Sequence, residues 1–480
     1  MKRLLLIVCS LAIAFTASAQ AVFKADERFE LTSIAARLAG YYEYTQGSVP
    51  EYNAAIDEYF APHRLHKLIN HLQRIRMANS VAYDAIPTAT RALVIKDGGI
   101  AISPDADVGK LCEADTRWTE ESFRTFVEYL DDFYRKTDFH SFFEDNSALY
   151  AKGEALVNSF SEVDTSWFMS FFGKPLESPQ LYISFVNGPS NYAMTDSGAV
   201  PGFGILMGLW FDPYKVTPEN ISEDQKYGFI NTVIHELCHN FSNPVTKRWR
   251  KELDRASERI FFEDDVMQAM SRIAYGEPYI MTSEWLNNLC EMMYFKEKGL
   301  LYPEDPGTAD PEVSDACGFS AFALAARGFY WMDSSIELMD GFYANRDKYP
   351  YFEDFMPEIV GFYNRFSKNT AAEREKYEAL YPRVTGFAVD SADADRLKLH
   401  FTFSVPMNRR FMTTRFYPNG DAMPLDAVSA SFDDEYTFTV GFDRRVMEKG
   451  ERYGGAIDAW SFRSCKAYPM RDNYQFEFEY

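Results

Sequence analysis

The sequence predicts an α+β protein: a mostly helical region with one small sheet inside it, followed by an all-β sandwich. Three observations carry that reading. Apolar residues recur at three- and four-residue intervals over most of the first 380 positions, the period of a helix face. The texture changes between Leu181 and Trp210, where Leu181-Tyr182-Ile183-Ser184-Phe185-Val186 is strand-like and Asn187-Gly188-Pro189 marks a turn. From Pro382 onward the period becomes two: Leu397, Leu399, Phe401 and Phe403 alternate with Lys398, His400 and Thr402.

The chain of 480 residues opens with Met1-Lys2-Arg3, an apolar run from Leu4 to Phe15, and Thr16-Ala17-Ser18-Ala19. A basic start, a short apolar stretch and small residues describe an export signal cleaved after Ala19. The run is too short to stay in a bilayer as an anchor. No later segment approaches 18 uninterrupted apolar residues, so no integral membrane segment is expected in the mature chain. The expected organisation is therefore a signal peptide over 1–19, a first domain over 20–380 and a sandwich over 382–480, in a periplasmic or extracellular protein.

Within the first domain, Leu31, Ile34, Leu38 and Tyr42 begin a helical stretch from Arg28 to Met77, interrupted at Ser48-Val49-Pro50. Phe126, Leu130, Phe133 and Tyr134 line another from Phe123 to Ala155. A Gly-rich strand, Gly202 to Phe211, completes the small sheet. Ser222-Glu223-Asp224-Gln225 then matches a capping box with acidic residues in the first turn. Phe229, Ile230, Val233, Ile234 and Leu237 form the stripe of the helix it starts, and Asn243-Pro244 is the expected stop. Further helices are expected over Trp249 to Ala274, Ser283 to Lys298 and Ser320 to Phe366. In the sandwich, Tyr436 to Val440 and Gln475 to Tyr480 also read as strands, with Asn419-Gly420 and Lys449-Gly450 as turns.

Composition excludes some partners. With 49 basic and 71 acidic residues the net charge is −22, two units more negative once Lys2 and Arg3 leave with the leader. So acidic a chain repels phosphate backbones, and no nucleic-acid partner is expected. Five cysteines remain after cleavage, namely Cys112, Cys238, Cys290, Cys317 and Cys465. An odd number without CxxC spacing argues against a disulfide scaffold. Oligomeric state leaves no mark on the sequence.

The chemistry lies in His235-Glu236-Leu237-Cys238-His239, an HExxH pattern in a segment read as helical on other grounds. Residues four apart share a helix face, so both imidazoles can reach one metal ion. Glu236 lies about 100° round the helix from His235, placed to take a proton without being a ligand. Cys238 faces away from both histidines and reads as a core residue. A catalytic zinc ion, Zn2+, takes three protein ligands and keeps one position open. The next histidine downstream is His400, in the sandwich, so a carboxylate from a second helix is needed, the gluzincin arrangement. The candidates are Glu252, Glu258, Glu263, Asp264, Asp265, Glu277, Glu284 and Glu291. Glu284 is preferred, because it opens a helix whose other positions are largely apolar, and a buried carboxylate needs a partner or a metal. Glu291, seven residues on, is the reserve, and Asn288 is the expected hydrogen-bond partner of a ligating histidine.

These residues resemble a family of secreted, mostly bacterial gluzincin-like domains of unassigned function, common in gut Bacteroidota. The resemblance runs from about Asp26 to Phe366. It rests on Asp26-Glu27-Arg28-Phe29-Glu30-Leu31 with Arg37-Leu38-Ala39-Gly40, on Trp167-Phe168 with Phe171-Phe172-Gly173, and on Asn187-Gly188-Pro189 with Asn191-Tyr192. His235-Glu236, His239, Phe241, Asn243-Pro244 and Ala274-Tyr275 before Glu284 complete it. The family often carries Arg-Ala four positions after the late glutamate, where this chain has Asn288-Leu289. The resemblance implies a zincin-like metallopeptidase fold and no particular substrate. Separately, Phe403-Ser404-Val405-Pro406-Met407 resembles the Phe-Ser-x-Pro-Met signature of bacterial Ig-like domains, which are mostly spacers or adhesion modules.

The expected activity is hydrolysis of peptide or protein substrates by a metal-activated water, with Glu236 as general base. Tyr275, Tyr279, Tyr294 and Tyr330 are candidate oxyanion donors with nothing to choose between them. The strand 181–186 or 202–211 offers an edge for an extended peptide, by analogy with other HExxH peptidases. The rival is a non-enzymatic exported binding or scaffold protein with a structural or vestigial ion, in which Glu236 has no task. His63, His66 and His71 read as a solvated helix face, and His140 as a ring packed among Phe139, Phe142 and Phe143.

Overall fold

The computed structural model describes residues 22–176, 179–194, 198–200, 202, 204–273, 275–302, 311–410, 414–418 and 427–480, with backbone alone at 311–315 and 414–418. The expected leader and the Asn419-Gly420 turn lie outside the described residues. The protein is α+β, and it divides into two compact units. One is the chain up to Val163 with Leu176–Lys215; the other is Asp164–Pro175 with Val216–Tyr480. The seam thus falls within 20–380, and the sandwich belongs to the second unit. Among the described residues no helix is long and apolar enough to cross a membrane.

The first unit is built from helices Glu27–Leu38, Pro50–Tyr59, Lys67–Asn79, Ala85–Thr90, Val108–Ala114, Glu120–Lys136, Phe139–Asp145 and Ser147–Asn158. Breaks at Thr137-Asp138 and Asn146 divide the stretch from Phe123 to Ala155 that periodicity alone leaves continuous. Phe60 stacks on Phe133 and meets Phe139 and Phe142, an aromatic core that uses the many phenylalanines as packing. The small sheet has the order Gln180–Ser184, Gly204–Gly208, Tyr192–Met194. Gly204–Gly208 is paired on both sides, parallel to the first strand and antiparallel to the last. Gly204–Gly208 is therefore central, and it cannot offer the peptide-binding edge expected within 202–211. On the far side of Gln180–Ser184, Lys24 bridges Tyr182.

Glu30, on the first helix, is completely buried in this unit. Its carboxylate accepts from the Phe185 N–H at 2.9 Å and the Tyr52 hydroxyl at 2.9 Å, and Tyr52 in turn meets Tyr150 at 2.7 Å. Phe185 fits there because Gly153 faces it; a Cβ at 153 would lie 2.5 Å from the Phe185 ring. The histidines depart from expectation. His66 sits before helix Lys67–Asn79, accepts from the Leu68 N–H and pairs with Asp132 at 3.1 Å. His71 is buried, with one ring nitrogen 3.0 Å from the Ser122 carbonyl and the other bonded by Arg74. They are packed partners rather than a solvated face. His140 does the reverse: its side chain is 59% exposed and pairs with Glu27.

The second unit holds helices Thr165–Phe172, Glu223–Arg248, Arg250–Phe261, Asp264–Arg272, Pro278–Glu297, Pro311–Ala326, Met332–Leu338, Asp340–Ala344, Phe352–Phe366 and Thr370–Ala379. The capping box forms as read: Ser222 Oγ accepts from the Gln225 N–H, and Gln225 Oε1 from the Ser222 N–H. The stop at Pro244 does not hold, and the helix runs on to Arg248. Proline removes one N–H bond to the preceding turn. That loss is offset by the last turn, which buries Val245 and Thr246, while Phe241 just before the proline stacks on Phe172 with centroids 4.8 Å apart. The next long helix begins at Pro278 rather than Ser283, with proline at its first position, where no N–H is needed. Glu284 consequently falls in the second turn instead of opening the helix.

Strands 384–390, 396–403, 437–443 and 429–432 form a four-stranded antiparallel sheet in the order first, second, 437–443, 429–432. Strands 474–479, 452–457 and 414–418 form a three-stranded one. The two faces share a core of Leu397, Leu399, Phe401, Phe438, Val440, Ile457 and Phe476. Phe401 and Phe387 each meet Phe476 of the opposite sheet at 5.0–5.2 Å. The sandwich rests on the helices through Asp333, 4% exposed, whose carboxylate accepts from the hydroxyls of Tyr468 and Tyr302 and lies 3.5 Å from Lys466. Burial pushes the Asp333 carboxyl up, and Lys466 opposes it.

Candidate metal centre

His235 and His239 lie on one face of helix Glu223–Arg248, their rings 4.7 Å apart and nearly perpendicular. Their Nε2 atoms approach to 3.2 Å. Glu284, from helix Pro278–Glu297, places Oε2 at 3.5 Å from His235 Nε2 and Oε1 at 3.7 Å from His239 Nε2. A tetrahedral ion with bonds of about 2.0–2.1 Å separates its ligand atoms by about 3.3 Å. The three side chains together form a group able to hold a metal ion.

Both far ring nitrogens are occupied. His235 Nδ1 faces Glu291 Oε2 at 3.2 Å, and His239 Nδ1 faces Asn243 Oδ1 at 3.2 Å. A carboxylate or amide oxygen beside Nδ1 calls for the N–H there, which leaves Nε2 as a lone pair. Two such lone pairs facing each other beside a carboxylate repel unless a cation lies between them. Glu284 Oε2 adds a second sign: it is buried and accepts no hydrogen bond. Buried polar atoms are otherwise almost always satisfied. The donor set of two imidazole nitrogens and one carboxylate oxygen suits zinc.

The electrostatics are sharply opposed. Burial pushes the Glu284 carboxyl up, yet the His239 and His235 imidazoles hold it down to about 2. Burial pushes His235 down, and Glu284 and Glu291 lift it well above its ordinary value. A positive charge therefore suits this spot.

The helix pair is fixed from behind. Asn287 Nδ2 donates to the His235 carbonyl at 3.0 Å, and Ser242 Oγ donates to Asn287 Oδ1 at 2.7 Å, so one amide clasps two turns of the neighbouring helix. Trp285 stacks on Tyr363 with centroids 4.4 Å apart, and its Nε1 donates to Ser335 Oγ. Helix Pro278–Glu297 is buried almost throughout from Met281 to Phe295, which holds the Glu284 backbone in place.

Glu291, the reserve ligand, is brought to the back of His235 rather than to the front of the site. Asn288 does not reach a histidine; its Nδ2 donates to the Glu284 carbonyl one turn back. Asn287 and Asn243 take the supporting contacts instead. Asn243 had a sequence signal, since it lies four residues after His239, but reading Pro244 as a stop hid it.

Glu236, 9% exposed, lies beside the group, and its charge is felt at the Tyr275 hydroxyl. Tyr275 is the tyrosine placed at the site. Burial raises its phenol, and the charges of Glu284 and Glu236 raise it further. The other three are engaged elsewhere: Tyr294 accepts from the Asp164 N–H, Tyr330 donates to Glu263, and Tyr279 lies under the Arg250 guanidinium. Glu263 and Asp265, among the other carboxylates considered, pair with Arg374. Cys112, Cys238, Cys290, Cys317 and Cys465 are free thiols, with Cys238 fully buried.

No family model matches the chain, and no curated protein matches it. Among solved structures, the S-layer protein rSbsC(31-844) is similar at 16% identity and a TM-score of 0.20, covering 52% of this chain and 33% of that one. The N-terminal part of the bacterial S-layer protein SbsC is similar at 13% identity and a TM-score of 0.19, over 52% and 58% of the two chains. This chain thus spans about a third of the first of these, and likeness at such scores carries no argument about fold or activity.

Proposed function

We propose that the chain is an exported zinc-dependent metallopeptidase of the HExxH, gluzincin type, acting on a peptide or protein substrate. One observation carries the reading. Two Nε2 atoms and a half-buried carboxylate converge at ligand spacing while Glu291 and Asn243 occupy the Nδ1 sides. The leader-like start supports export, and the resemblance to secreted gluzincin-like domains supports the reaction class.

His235, His239 and Glu284 would hold the ion. When bound, zinc acidifies a water and polarises a carbonyl. Glu236, next to His235 and outside the ligand set, accepts one proton from the attacking water and delivers it to the departing amine nitrogen. The water oxygen bonds to the carbonyl carbon as the carbon–nitrogen bond breaks. Tyr275 supplies a hydrogen-bond donor for the developing oxygen charge. Glu291 and Asn243 orient the two imidazoles and keep their protons on Nδ1.

The test compares the mature protein with its Glu236→Gln form on a diverse peptide mixture followed by mass spectrometry. Removing a general base slows turnover by about 10²–10⁴-fold. Cleavage by the parent that vanishes in the variant, at equal zinc content, is the expected outcome. No cleavage by a zinc-loaded, folded parent would favour the exported binding or scaffold role instead.

A further inference from the structure

Helix Glu223–Arg248 carries Asn231, His235, His239 and Asn243 at four-residue intervals, in one row along its face. An asparagine thus stands at each end of the histidine pair. The oxygen of Asn243 has a task, since it faces His239 Nδ1 at 3.2 Å. That of Asn231 has none. Both ring nitrogens of His235 are engaged, Nδ1 by Glu291 and Nε2 by Glu284 and His239, so neither serves it. Asn231 is 8% exposed, and its Oδ1 is buried without a hydrogen-bond donor among the described residues. Buried side-chain acceptors are rarely left so.

Turning the amide over does not cure this. Asn231 Nδ2 donates to Ser320 Oγ, on helix Pro311–Ala326. The Ser320 hydroxyl gives its single proton to the Ala316 carbonyl at 3.0 Å, so towards Asn231 it can only accept. An accepting serine requires the amide nitrogen on its side, and that fixes the oxygen on the other. The amide is held by its nitrogen end, one turn before His235.

Position and chemistry narrow the donor that fits. Four residues of helix rise about 6 Å. An extended peptide advances about 3.3 Å per residue, and its N–H groups return to the same side every second residue. A peptide extended along this row, with one carbonyl at the histidines, brings the N–H two residues away level with Asn231. A neutral amide oxygen suits a neutral backbone N–H, whereas a protonated amine is better met by a carboxylate.

Resting on the peptidase reading of the same centre, we propose that Asn231 Oδ1 accepts one backbone N–H of an extended peptide substrate, two residues from the residue whose carbonyl is attacked. Asn231 sets the register of the peptide and takes no part in bond breaking. It also imposes a specificity: proline and N-alkylated residues, which lack the N–H, are disfavoured at that one position.

The experiment uses the full mature chain carrying Glu236→Gln and loaded with zinc, so that probes are bound and not consumed. Acetyl-tetra-alanine hydroxamate, and tetra-alanine amide with a succinyl hydroxamate on its amino end, are titrated calorimetrically. Each is also made with a single backbone nitrogen methylated, one position at a time. A neutral hydrogen bond is worth up to about tenfold in affinity. Methylation at one position, two residues from the hydroxamate carbonyl, should weaken binding by about that factor, and methylation elsewhere by much less. With Asn231→Leu added the drop should vanish, the unmethylated probe being already weakened to match. Asn231→Asp keeps an acceptor and should keep the drop. Ser320→Ala frees the amide to turn and should shrink the drop, which provides the test should Asn231→Leu not fold. A flat scan, the same drop with and without Asn231→Leu, or failure of every probe to bind overturns the proposal. An Asn231-dependent drop in a protein that, with Glu236 intact, cleaves no peptide would sink the peptidase reading alone. Cleavage together with a flat scan would sink this inference alone.

Discussion

Two glutamates, fully buried Glu30 in one unit and half-buried Glu284 in the other, show what burial does and does not decide. Glu30 and Glu284 are both withdrawn from water, and burial pushes both carboxyls up. Glu30 meets a backbone N–H and a phenol, with no arginine, lysine or histidine paired to it among the described residues, and it rises to about 7. Glu284 meets two imidazoles and falls to about 2. Neutral donors relieve part of the cost of a buried charge; facing cations reverse it. The first arrangement suits a carboxyl that holds a fold together, and the second suits one that shares a cation.

The same substitution made at the two sites should therefore give opposite results. Glu284→Gln removes the anionic ligand, and zinc affinity should fall by more than about a hundredfold, since even supporting residues are worth about 10–100-fold. Competition titration against a chromophoric chelator measures it, and unchanged affinity would erase the distinction between the glutamates. Glu30→Gln should do the reverse and stabilise the protein in alkali. The Glu30 carboxyl has a higher pKa folded (about 7) than its ordinary 4.5, so its contribution is complete below about 4.5 and is lost as pH rises through 7. The full loss is about 3 kcal/mol at most, reached above about pH 8. Melting temperatures from pH 5 to 9 should decline more steeply in the parent than in Glu30→Gln; parallel curves would show that Glu30 is ionised throughout. Glu291→Gln is the mildest of the three. The carbonyl oxygen of glutamine still accepts from His235 Nδ1, so zinc affinity should drop by only about tenfold. A loss as large as that at Glu284 would make Glu291 a ligand.

What the sequence made legible follows from how many elements each feature spans. The His235–His239 pairing lies within one helix, where spacing alone sets the face, and the structure places both rings together. Glu284 was reachable by one further argument, a carboxylate among apolar neighbours, because helix Pro278–Glu297 is buried on nearly every side. Choosing between Asn287 and Asn288, or fixing the side of the histidine that Glu291 approaches, needs the rotation of one helix against another. That rotation is set by packing such as Trp285 on Tyr363, which no local pattern encodes. The misread histidines have a similar cause. His71 is buried because Arg74 and the Ser122 carbonyl satisfy both ring nitrogens, and Ser122 lies fifty-one residues away. Pro244 failed as a stop because local propensity yields to burial of the turn that follows.

The seating of the sandwich on Asp333 bears on how the chain would respond to damage. A protease that nicked the segment around Arg383 would cut one covalent link and leave the Tyr468 and Lys466 contacts in place. Arg471 would still hold Glu378, and Lys466 would still hold Glu337. The two fragments should then travel together through a sizing column and part only in denaturant. Expressing the helical part alone would strand Asp333 without two of its partners, Tyr468 and Lys466, at once. The sandwich thus belongs to the stability of the helices beneath it and is no detachable accessory.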